Sequence, residues 1–134
     1  MIDVILDTNY AHVSYKKDLK AGYVIWKGKL TSEEYRNTIL SLIDYSKNKS
    51  VVENYLSDIK DQAVISPNDR KWFETEAIPA SKATGLKRGA VVFDGNVFKK
   101  YYLNLILKST NKFGIDLKFF SSIEEAEDWF KSYQ

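Results

Sequence analysis

The chain has 134 residues, the usual size of one domain, and 44% of them are hydrophobic, which is enough to fill a single core. It contains no cysteine, which excludes disulfides, thiolate catalysis and thiolate metal sites. Its 20 basic and 18 acidic residues leave a net charge of +2, too small to indicate a nucleic-acid partner.

The sequence shows no signal for membrane insertion or for export. No apolar run approaches the roughly 20 residues that a membrane-spanning helix needs. Residues 1–10 carry acidic side chains and lack the basic and long apolar regions of a signal peptide. We therefore expect one soluble, cytoplasmic domain over residues 1–134, with no membrane span.

The first three predicted elements are strands. Residues 2–7, 10–15 and 21–28 are short runs rich in β-branched and aromatic residues, and polar turn sequences separate them. They predict an antiparallel meander. The capping box from Thr31 to Glu34 then predicts a helix that ends near Lys47.

The rest of the chain alternates between strands and helices. Residues 53–59 predict a buried strand, and Ser66 before Pro67 predicts the N-cap of a second helix that ends near Pro79. The remaining predicted elements are a strand at 88–93, a helix at 97–109, a strand at 115–120, and a last helix beginning at a second capping box at 121–124. This alternation predicts the α/β class, with parallel strands joined by helical crossovers.

Few side chains are candidates for catalysis. His12 is the only histidine, so we predict no metal site. The six glycines are scattered and match no phosphate-binding loop, and no serine lies in a nucleophile elbow. We therefore expect no cofactor, no catalytic residues and no enzymatic activity.

Two groups of residues are candidates for binding. Asp58 and Asp61 follow a predicted strand, where the carboxyl ends of parallel strands form clefts, although a solvated loop explains them equally well. Tyr35, Trp72 and Phe73 lie on predicted helices. Aromatic residues at helical spacing are more often core than binding site, and the alternative is a small apolar pocket.

Several segments, taken in order, carry a resemblance to a known family. They are Trp26-Lys27-Gly28 before the first capping box, Leu56-Ser57-Asp58, the stretch from Ile65 to Asp69, the strand 87–92, and the ending F-S-S-I-E-E-A-E-D-W at 120–129. Over nearly its whole length the chain resembles the SpoIIAA-like group of the STAS superfamily, in an uncharacterised bacterial branch. The resemblance implies a STAS (SpoIIAA-like) fold with a mixed β-sheet, N-terminal antiparallel strands, and helices packed mainly on one face.

The same resemblance implies a function. STAS domains of this kind are non-enzymatic regulatory modules that bind a protein partner and are switched by phosphorylation of a serine. Here Ser66 matches the phosphoacceptor and Asp58 the strand aspartate. The expected interaction surface is the loop from Asp58 through Asp61 to Asp69, with the start of the second helix. Ser66 is also explained as an N-cap, which contributes about 1 kcal/mol.

An alternative function belongs to a different class. SpoIIAA-like proteins are similar in architecture to CRAL-TRIO lipid-transfer domains, which implies a binder of a small apolar ligand or lipid in a pocket near Trp72. A homodimer is also compatible with the sequence, through an exposed strand edge or an apolar helix face. The sequence names neither the protein partner nor the ligand.

Overall fold

A computed structural model describes residues 2–134. Its strands are β1 (Ile2–Asp7), β2 (Ala11–Lys16), β3 (Ala21–Gly28), β4 (Asn54–Gln62), β5 (Arg88–Val92) and β6 (Asp116–Phe120). Its helices are α1 (Ser32–Asn48), α2 (Pro67–Trp72), α3 (Ile78–Ala83), α4 (Val97–Lys112) and α5 (Ile123–Lys131). A π-helical turn, Phe73–Ala77, joins α2 to α3 without a break.

The six strands form one mixed sheet in the order β1-β2-β3-β4-β5-β6. β1, β2 and β3 pair antiparallel, as expected for a meander, and β3, β4, β5 and β6 pair parallel. Each parallel connection contains helical segments, because parallel neighbours need a crossover rather than a tight turn. The predicted α/β class and mixed sheet are confirmed.

The helices divide unequally between the two faces of the sheet. Side chains of α1, α3 and α4 pack in the larger core cluster on one face, which we call the helical face. On the other face α5 packs through Ala126 and Phe130, next to Leu19 of a short 3₁₀ turn, Lys17–Leu19. The expectation that helices cover mainly one face is therefore confirmed. Among residues 2–134, no helix is both long enough and apolar enough to cross a membrane.

Local capping explains where α1 begins. The Glu34 N–H donates to the Thr31 hydroxyl over 3.1 Å, and the Thr31 N–H donates to the Glu34 carboxylate over 2.9 Å. These two bonds satisfy donors that the first helical turn leaves without partners.

Several predicted boundaries were wrong. α4 ends at Lys112 rather than at residue 109. β4 ends at Gln62 rather than at residue 59, because it keeps pairing with β3. The second helix continues past Pro79, since the π-helical turn widens the backbone where the proline ring would meet a carbonyl of the preceding turn. The last helix is capped one residue later than predicted, by Ser122, whose hydroxyl accepts from the Glu125 N–H.

Candidate functional site

A cavity of about 90 Å³ lies between the helical face of the sheet and the helices that cover it. Its walls are mostly aliphatic and aromatic, and none of its lining side chains is an aspartate, glutamate, lysine, arginine or histidine. Tyr35 and Phe73, two of the three residues predicted for a pocket, line it, and Trp72 does not. Phe73 begins the π-helical turn, a feature that often occurs at functional sites.

A bulge in β4 decides which polar side chain enters this cavity. Ile25 of β3 pairs with Asp58, and Lys27 pairs with Asp61, so β4 advances three residues while β3 advances two. One extra residue reverses the alternation of side chains along the strand. Gln62 therefore joins the cavity wall, whereas an unbroken alternation would place it on the α5 face.

Lys99 of α4 supports the backbone at this bulge. Its ammonium donates to the carbonyl oxygen of Ile59 over 2.6 Å and to that of Lys60 over 3.2 Å. β5 has already ended at Val92, opposite Asp58, so it offers these carbonyls no N–H. Lys99 is only 5% exposed, and the two charge-assisted bonds offset the desolvation of its ammonium.

Two polar side chains in the cavity wall have no hydrogen-bond partner among residues 2–134. Gln62 is 4% exposed, and neither its amide oxygen nor its amide nitrogen is paired. The hydroxyl of Tyr102, on α4, is also buried and unpaired. Buried polar groups nearly always have a partner, and leaving one unpaired costs about 1–3 kcal/mol.

Four other hydroxyls of the wall are hydrogen-bonded. Ser46, Thr84 and Thr110 each donate to a backbone carbonyl. The hydroxyl of Ser57 accepts from the Trp26 indole over 2.9 Å. Among the wall residues within 2–134, the fully buried polar atoms without a partner are thus those of the Gln62 amide and the Tyr102 hydroxyl.

The tyrosines of the wall are neutral hydroxyls at ordinary pH. Burial raises the pKa of Tyr55 to about 12, and it raises the pKa values of Tyr35 and Tyr102 well above the usual 10.0. The cause is desolvation, which disfavours a phenolate in an apolar interior. The cavity therefore carries no charge of its own.

A second, more polar cavity of about 190 Å³ adjoins the first. Tyr35, Gln62 and Ile65 line both cavities. Ser66 and Asp69 line only the second. We call the first the inner cavity and the second the outer cavity. Gln62 therefore lies at the junction, with the apolar inner cavity on one side and the predicted interaction loop on the other.

Asp69 joins two helices. Its carboxylate accepts from the Ser32 hydroxyl over 3.0 Å and from the Arg36 guanidinium over 3.1 Å, so it fastens the start of α2 to α1. Arg36 lies 5.3 Å over the ring of Trp72, and that ring contacts Tyr35 edge-on at 6.2 Å. Trp72 thus packs against Tyr35 and does not line the cavity itself.

The other predicted site residues do not form one cluster. Ser66 is exposed, and its hydroxyl accepts from the Asp69 N–H over 3.2 Å as the N-cap of α2. Asp58 is buried, and it alternates with Leu56 on the α5 face, where its carboxylate accepts from the Lys60 N–H. Asp61 is exposed. The prediction that Asp58 and Asp61 follow the strand was wrong, because β4 continues through both.

The lone histidine pairs with an acidic side chain of the neighbouring strand. His12 is on β2, where its ring faces the Asp7 carboxylate at 3.2 Å. In the part of the chain that the structure describes, no three histidine, aspartate or glutamate side chains lie close enough together to hold a metal ion.

Sequence reasoning missed Gln62, Tyr102 and Lys99. For Lys99 a signal existed, because it falls on the same helical stripe as Tyr102, Leu103 and Ile106, where a lysine is unexpected. Gln62 carried no such signal, since its direction depends on a bulge that only strand pairing reveals.

One comparison with known proteins agrees with this architecture. No protein-family model and no curated protein sequence matches the chain. A solved structure, described as an uncharacterized protein from the DUF3478 family with a SpoIIAA-like fold, from Shewanella loihica PV-4, is similar to it with a TM-score of 0.58. The two share 18% sequence identity, over 97% of this chain and 92% of the other. The chain therefore has a SpoIIAA-like fold, as the sequence resemblance indicated.

Proposed function

We propose that this SpoIIAA-like domain is a non-enzymatic module that binds a small, largely apolar molecule in the inner cavity. The observation that carries the proposal is an uncharged, largely apolar cavity whose wall holds buried polar groups that have no partner among residues 2–134. Ligand sites combine such walls with a few polar groups that orient the ligand. A purely structural core would pair those groups or replace them with apolar ones.

The predicted interaction loop fits this proposal as an entrance. An interaction module would present a flat, exposed surface from Asp58 to Asp69, but the carboxylates of both these residues are buried and hydrogen-bonded. Ser66 instead lines the outer cavity next to Gln62. This arrangement supports a concave binding site more than a docking surface.

Toluene is a suitable probe of the inner cavity, because it is apolar and consists of a single ring with one methyl group. Titration of the isotope-labelled domain should give saturable NMR shifts at amides of cavity-lining residues. Ile106 lines the cavity and Leu40 is exposed on α1. Ile106→Phe should fill the space and weaken binding by about tenfold, equivalent to ~1.4 kcal/mol, whereas Leu40→Phe should leave it unchanged. An absence of saturable shifts in the unaltered protein would refute the proposal.

A second candidate function, association with another protein, is favoured by one exposed surface. Val97, Phe98 and Tyr101 lie on the first turns of α4, and each exposes more than two thirds of its surface. Apolar residues at i, i+1 and i+4 make one continuous patch, which suits a two-fold contact between two copies of the chain.

Sedimentation velocity tests this association. We expect a dimer that Phe98→Ser converts to a monomer, because the change puts a hydroxyl at the centre of the patch. Leu40→Ser, at another exposed apolar position, serves as the control and should leave the dimer intact. A monomer at every concentration of the unaltered protein would contradict this candidate and leave ligand binding untouched.

A further inference from the structure

We infer that the ligand is a neutral, planar ring carrying a hydrogen-bond donor beside an acceptor, as in a lactam or cis-amide, and that Gln62 recognises this pair. The inference rests on the proposed function and names the chemical class that the inner cavity takes. It follows from three features of the cavity: its charge, its shape and its unpaired groups.

The absence of charged side chains in the wall selects a neutral ligand. A carboxylate or ammonium group would enter the inner cavity without a counter-ion, and desolvating an unpaired charge is far more costly than desolvating an amide. The raised pKa values of Tyr35 and Tyr102 keep those hydroxyls uncharged as well. Neutral polar groups are therefore the only ones that this wall can pair without penalty.

The unpaired groups define the polar pattern of the ligand. The Gln62 amide offers an acceptor oxygen and a donor nitrogen in one plane, and both atoms are free of partners among residues 2–134. A carboxamide pairs both atoms at once when its partner presents a donor and an acceptor side by side, which is how glutamine and asparagine read the edge of adenine. The Tyr102 hydroxyl supplies a further bond from α4.

The shape of the site selects a ring. The inner cavity, about 90 Å³, is bounded by the rings of Tyr35, Tyr55 and Phe73, and such walls pack best on a flat apolar face. Substituents of the ring have room in the outer cavity, because Gln62 stands where the two cavities meet.

The bulge that aims Gln62 supports a binding role over a packing role. Bulges that re-aim a side chain occur next to functional sites. Here the chain combines a bulge with a buried ammonium at Lys99, and the result is an amide in the wall of an apolar cavity with no hydrogen-bond partner among residues 2–134. A folding role for Gln62 would require a partner, either in the protein or as an ordered water.

The test compares 2-pyridone, a lactam ring, with toluene, a ring of similar size that lacks polar groups. NMR titrations give both dissociation constants for the unaltered protein, Gln62→Leu and Tyr102→Phe. We expect 2-pyridone to bind the unaltered protein more tightly than toluene does. Gln62→Leu should weaken 2-pyridone binding by about tenfold or more and leave toluene binding equal or stronger, because loss of a bidentate pair removes at least ~1.4 kcal/mol.

The outcomes separate the two proposals. If toluene binds and 2-pyridone binds no better, the ligand class is wrong and the proposed function stands. If neither probe shifts the cavity-lining amides, both are wrong. Tyr102→Phe removes one oxygen and keeps the ring, so a severalfold loss of 2-pyridone affinity there, with toluene unchanged, supports the inference even where Gln62→Leu fails to fold. Unchanged affinity for 2-pyridone in both variants overturns it.

Discussion

Replacing Lys99 by methionine is expected to lower the free energy of unfolding by about 3 kcal/mol, since hydrogen bonds to charged groups contribute roughly 1.5–3 kcal/mol each. The ammonium makes two such bonds, to the Ile59 and Lys60 carbonyls, and β5 offers neither of them an N–H. Methionine matches the length and apolar stem of lysine, so the change removes the ammonium with little loss of packing. Urea unfolding measures the effect.

Lys100 supplies the matched control. It is the next residue along α4 and is exposed, so Lys100→Met should change the free energy of unfolding by less than about 0.5 kcal/mol. Lys99→Met should also weaken 2-pyridone binding, because a relaxed bulge no longer directs Gln62 into the inner cavity. Equal stability of the two variants would mean that the ammonium does not hold the bulge.

Replacing Phe130 by alanine is expected to destabilise the domain by about 3–5 kcal/mol, the usual cost of deleting a buried aromatic ring. The ring is 1% exposed and packs with Leu56, Ala90 and Val92 on the face that α5 covers. The cavity left behind adds to the lost transfer free energy, because the surrounding structure relaxes only in part.

Phe98→Ala is the control for Phe130→Ala, because it deletes the same atoms from a side chain that is 72% exposed. Its effect on the monomer should stay within about 0.5 kcal/mol. Denaturant unfolding, monitored by circular dichroism at protein concentrations low enough to keep the chain monomeric, compares the two variants. If Phe130→Ala costs no more than Phe98→Ala, the docking of α5 on the sheet is wrong, and so is the division of helices between the two faces.

Much of the architecture follows from local patterns. The capping residues Thr31 and Ser66 begin helices where the sequence predicts them, because an N-cap satisfies its bonds within three residues. Strand and helix periods likewise depend on neighbours along the chain. The alternation after β3 then leaves few topologies open, since parallel strands need crossovers.

The boundary errors have the opposite cause. The π-helical turn and the extension of β4 to Gln62 depend on what packs beside each segment, and local propensity does not encode that. The burial of Asp69 also depends on neighbouring elements, because its position at the start of a helix predicts an exposed aspartate. Its burial arises only because α1 brings Ser32 and Arg36 against it.

The sequence by itself determined the class of fold, the order of the elements and most helix starts, because these depend on interactions between residues close together in the chain. Tertiary structure alone decided the candidate site. Which face Asp58 and Gln62 occupy depends on one extra residue in β4, and which polar groups lack partners depends on every element around the cavity. Such facts are set by long-range pairing and packing, where a shift of one residue moves a side chain from one face of a sheet to the other.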